Sequence, residues 1–133
     1  MSRLILGLLA AIAIVSACTA GAGPSATTLV SIHGVASAGP VCPVERPGES
    51  ACAPRPVPGA TIVVTTPSGA EVARTTTAAD GTFTVDLAPG AYVLVPQAVD
   101  GLMGTAPSIQ VTVPTADSPV PSPFTLLYDT GIR

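Results

Sequence analysis

The 133-residue chain contains no Lys, no Asn and no Trp, and its single imidazole is His33. Without lysine there is no ammonium for a Schiff base, and without both partners there is no Lys–Asn isopeptide crosslink. One histidine cannot supply a two-His, one-carboxylate zinc centre. Charged residues make up only 10% of the chain, so helices with salt-bridged faces have little to work with. The five arginines are scattered and outnumbered by eight carboxylates, for a net charge of −3, so no basic stripe exists to neutralise phosphates. Nucleic acid is excluded as a partner on that ground. The aromatics are just Phe83, Tyr92, Phe124 and Tyr128. Plentiful instead are Gly (13) and Pro (15), the punctuation of an all-β domain rich in turns.

The N-terminus reads as an address. Met1-Ser2-Arg3 gives a positive start, Leu4 to Val15 is an unbroken run of apolar or small residues, and Ser16-Ala17-Cys18 follows. The run is shorter than the roughly 20 residues a membrane-spanning helix needs. Val15-Ser16-Ala17-Cys18 resembles the bacterial lipobox, in which small residues precede a cysteine that becomes the lipidated mature N-terminus. Leu is usual where Val15 stands, and an ordinary small-residue cleavage site is the alternative. The resemblance implies a signal peptide over 1–17, lipidation of Cys18 and an extracytoplasmic protein anchored to the bacterial cell membrane. Thr19 carries no obvious inner-membrane retention signal, so a host with two membranes would sort it to the outer one. Residues 18–27 lack large apolar groups and read as a flexible tether holding the domain about 15–20 Å from its anchor.

From residue 28 to 133 the apolar pattern has period two. Seven strands are expected, at Thr28–Val35, Ala60–Thr66, Glu71–Thr77, Thr82–Leu87, Ala91–Ala98, Ser108–Val113 and Phe124–Tyr128, which suits a single β-sandwich. Phe83, Val85 and Leu87 alternate with Thr82, Thr84 and Asp86 most clearly. Ile62, Val64, Tyr92, Leu94, Ile109, Val111 and Val113 complete the expected core.

With Cys18 assigned to lipidation, Cys42 and Cys52 remain as an even pair outside the cytoplasm, where a disulfide is the natural state. Closing so short a loop is worth roughly 3 kcal/mol by the chain-entropy argument. A metal site would need more ligands than two thiolates and His33, and redox catalysis lacks the two-residue spacing, so both readings are weaker. No cofactor is expected.

Pro58-Gly59-Ala60-Thr61-Ile62-Val63-Val64, then Thr77-Ala78-Ala79-Asp80-Gly81-Thr82-Phe83-Thr84-Val85, then Leu87-Ala88-Pro89-Gly90-Ala91-Tyr92-Val93-Leu94 together resemble the carboxypeptidase regulatory-like domain. The resemblance covers residues 58–94 and implies a transthyretin-like sandwich. Asp80-Gly81 and Pro89-Gly90 then read as structural turns, the first supplying the positive φ of a tight hairpin. The Cys42–Cys52 insertion and the ending Tyr128–Arg133 depart from the common form.

Such domains are accessory modules, so no peptidase activity is implied and the chain is not expected to be an enzyme. Asp129-Thr130-Gly131 spells the aspartic-protease tripeptide, but too little chain follows to build a flap and groove. No Ser–His–acid constellation, metal cluster or phosphate loop is visible. The expected function is that of a lipid-anchored envelope module serving protein interaction or a structural role. The alternative is a carbohydrate- or peptide-binding accessory module, disfavoured for sugars by the scarcity of aromatic platforms. Candidate contact loops are the disulfide loop, with Glu45, Arg46, Glu49 and Arg55, and Asp100–Gly104, with Leu102 and Met103.

Overall fold

A computed structural model describes residues 23, 26–44, 48, 50–115, 119–120 and 123–133. Cys18, Glu45, Arg46 and Glu49 lie outside the described residues, as do the signal peptide and most of the tether.

The strands are β1 (Val30–Gly39), β2 (Arg55–Pro56), β3 (Thr61–Thr65), β4 (Glu71–Thr76), β5 (Thr82–Leu87), β6 (Gly90–Pro96), β7 (Ile109–Val113) and β8 (Phe124–Asp129). They form two four-stranded sheets. In one, β1 is central: β5 pairs antiparallel with its first half and β2 with Ser37 and Ala38, while β8 runs parallel to it from Gly34 to Gly39. The other sheet is antiparallel throughout, in the order β4-β3-β6-β7.

The inner faces supply the core. Ile32, Ile62, Val64, Leu94, Leu126 and Tyr128 are wholly buried, and Phe83, Val85, Leu87, Val111 and Val113 pack with them. The β5 alternation is as the sequence predicts. Tyr92 and Ile109 are only half-buried, against the expectation of core positions: they pack at the edge of the cluster, and the Tyr92 hydroxyl donates to the Ala88 carbonyl at 2.9 Å. The inner side of β1 carries Ile32, Gly34, Ala36 and Ala38. Position 34 requires glycine because a Cβ there would run into the Phe83 ring and come within 2.8 Å of the Phe124 carbonyl oxygen.

Two expectations are corrected. β1 continues four residues past Val35, and its extension is paired by β2, which the sequence pattern did not reveal. The Asp80-Gly81 turn is not the tip of a hairpin but a corner, since β4 and β5 belong to different sheets. Gly81 has φ +79°, its N–H donates to the Ala78 carbonyl at 2.9 Å, and its own carbonyl accepts the Ala36 N–H at 2.8 Å.

Candidate functional site

β1 sets the geometry of the site. The tether joins the domain at Val30, and eight residues on, at about 3.3 Å each, Ala38 lies some 26 Å away. β8 runs parallel to β1, so its end and the tail after it reach the same pole. β2 is paired there too, and the Gly101–Gly104 region is sewn on by backbone bonds. The Asp129 carbonyl accepts the N–H of Met103 at 3.0 Å and of Gly104 at 3.2 Å, and the Gly104 carbonyl accepts the Asp129 N–H at 3.2 Å. Thr130 bonds back to β1 through its N–H to the Gly39 carbonyl at 3.3 Å and its hydroxyl to the Pro40 carbonyl.

Between these segments lies a cleft of about 490 Å³, with walls from Val41, Arg55, Val57, Val99, Asp100 and Leu102. Thr130 and Ile132 close the side nearest the C-terminus. Two residues expected in separate contact loops, Arg55 and Leu102, therefore face one cavity. Met103 does not line it; its side chain is 79% exposed and lies against Gly131. The disulfide joins Cys42 to Cys52 with Cα atoms 5.4 Å apart, fixing the segments that bring Val41 and Arg55 to the cleft.

Thr77, which nothing in the sequence pattern singles out, holds another wall. It is 5% exposed; its hydroxyl donates to the Val57 carbonyl at 2.6 Å and accepts the Ala60 N–H at 2.8 Å. Its backbone also exchanges bonds with Gly59 and Ala60. Thr77→Val keeps the shape but orphans a buried donor and acceptor, a loss of about 2 kcal/mol. Urea unfolding should show a lower midpoint at unchanged slope, with Thr77→Ser much closer to wild type.

Electrostatically the pole has one locked pair. Arg133 clamps the Asp129 carboxylate at 2.8 and 3.1 Å, and the Gly131 N–H donates to it at 2.7 Å. The Arg133 hydrogen bonds foremost, then the Gly131 N–H, lower its pKa from the usual 3.8 to about 2. The depressed value means that the pair's contribution is complete above pH 3.8 and is lost as pH falls through about 2. A carbon-13 NMR titration should place the Asp129 midpoint near 2 and move it toward 3.8 in Arg133→Gln; an unmoved midpoint would refute the assignment. The Asp-Thr-Gly carboxylate is thus committed to a strand-ending turn, with Gly131 at φ +80°.

On the outer face of β1 and β5, Ser31, His33 and Asp86 come side by side. The Ser31 hydroxyl donates to the Asp86 carboxylate, while His33 Nδ1 bonds the Thr84 hydroxyl at 3.0 Å. None of the three lines the cleft. Among the described residues no group of three or more His, Cys, Asp or Glu could hold a metal ion, and no helix is long and apolar enough to cross a membrane. Asp80 caps its corner by accepting from the Thr82 hydroxyl and N–H, which hold its carboxyl below its usual range.

The family profile of the carboxypeptidase regulatory-like domain matches residues 50–121, just over half of the chain, reaching from just before Cys52 past β7. No curated protein shows significant similarity to it.

Proposed function

Because the chain belongs to the carboxypeptidase regulatory-like domain family, whose domain is non-catalytic, we propose that it is a lipid-anchored envelope module that binds another protein rather than an enzyme. The observation that carries the reading is the placement of the cleft. It lies at the pole farthest from Val30, where the tether from Cys18 enters, so a domain anchored through Cys18 presents it away from the membrane. More than one acyl chain gives durable anchoring, at about 0.8 kcal/mol per buried methylene. Protein is favoured over glycan because Phe83 and Tyr128 are buried, Tyr92 and Phe124 are half-buried, and none of the four lines the cleft as a platform for a sugar.

The test is membrane fractionation with mass spectrometry of the mature N-terminal peptide. A diacylglyceryl-modified Cys18 in the membrane fraction, with Cys18→Ala released from it, is expected. An intact Met1 in the mature protein would contradict the anchor and with it the proposed orientation.

A further inference from the structure

Arg55 and Asp100 line the same cleft, both exposed, and no ion pair within 4.0 Å joins them. The ion pairs among the described residues are Arg74–Glu71 and Arg133–Asp129. The cleft therefore offers a cation and an anion, not paired with each other, in a lining otherwise dominated by aliphatic side chains, Val41, Val57, Val99, Leu102 and Ile132, with the Thr130 hydroxyl beside them.

That combination selects among ligand classes. An uncharged apolar ligand would strip water from both charges without replacing it. An anion would satisfy Arg55 but face Asp100. A molecule carrying both charges about an aliphatic centre satisfies everything at once. Its carboxylate takes the planar fork of the Arg55 guanidinium, and its ammonium donates to the Asp100 carboxylate. Its side chains displace water from the valine and leucine walls. We propose that the cleft binds a short aliphatic peptide with free amino and carboxyl ends, about two residues long. The volume of about 490 Å³ suits small-molecule sites, which span roughly 300–1,000 Å³. The walls are held in advance by the disulfide, by Thr77 and by the Asp129–Gly104 bonds, which limits the ordering cost of binding. This rests on the reading of the pole as the contact surface and adds to it a subsite for a small peptide.

The test uses the full chain in detergent, titrated calorimetrically with valyl-leucine, N-acetyl-valyl-leucine, valyl-leucinamide and octanoate. Saturable binding of valyl-leucine is expected, weakened about tenfold or more by capping either end. Arg55→Gln should erase the penalty for amidation and Asp100→Asn that for acetylation, each at wild-type melting temperature. Absence of saturable binding to valyl-leucine, or indifference to the caps, would overturn the proposal. So would tight binding of octanoate in place of the dipeptide, which would make the occupant an acyl chain. A protein crosslinked at the pole alongside a negative titration would sink the ligand and leave the contact reading standing. Dipeptide binding with crosslinks only elsewhere would do the reverse.

Discussion

Replacing Gly81 by alanine is expected to destabilise the domain by about 2–6 kcal/mol, combining a left-handed backbone at a non-glycine residue with forced repacking. The residue has φ +79°, and an added Cβ would press on the Ala36 carbonyl oxygen and come within 3.2 Å of the Val57 nitrogen. Neither neighbour can step aside, because the Ala36 carbonyl accepts the Val57 N–H at 3.0 Å where β5 gives way to β2 along β1. Gly59→Ala is the control: it has φ +70° with nothing within 4 Å of a Cβ, so it bears only the conformational cost of about 1–2 kcal/mol. Thermal unfolding of the two variants separates the terms. Equal losses would show that the close approach at Gly81 carries no weight.

Truncating Tyr128 to alanine is expected to cost about 3–5 kcal/mol, as for other large buried rings. Domains of this kind are stable by only about 5–15 kcal/mol, so much of the population would unfold on mild heating. The side chain is wholly buried on β8 opposite Ala38, filling space that the small residue on β1 leaves open. Its hydroxyl donates to the Gln97 carbonyl at 3.2 Å, tying β8 to the start of the segment that reaches Val99 and Leu102. Removing the hydroxyl alone deletes one neutral, part-buried hydrogen bond, so Tyr128→Phe should lose only about 1 kcal/mol. Chemical denaturation of both variants decides it: a Phe variant as unstable as the Ala variant would place the value of Tyr128 in its hydroxyl.

The parts of this molecule legible in its sequence are those that depend on near neighbours. Thr82–Leu87 alternates perfectly, and the turn at Asp80-Gly81 falls between strands that are present. The end of β1 was hidden because Ala36-Ser37-Ala38-Gly39 has no large or β-branched residue to mark a period, and β2 exists only because Ser37 and Ala38 pair with it. The corner at Gly81 looked like a hairpin because turn chemistry does not say which sheet the next strand joins. Tyr128 sits in an ending that the sequence left without a role, although the structure makes it a core residue. The cleft was illegible as a unit. Its walls come from Val41, Arg55–Pro58, Val99–Leu102 and Thr130–Ile132, four stretches gathered by the parallel β1–β8 pairing. The sequence could name Arg55 and Leu102 as surface candidates but not put them across one cavity.

A cleft at the far pole requires that end of the domain to meet its partner. A photoreactive phenylalanine analogue placed at Met103, exposed at the rim of the pole, and separately at Ser68, in the β3–β4 turn at the other end, reads this in intact cells. A discrete protein adduct from position 103 and none from position 68 is expected. Adducts from position 68 alone would contradict it and turn the domain around.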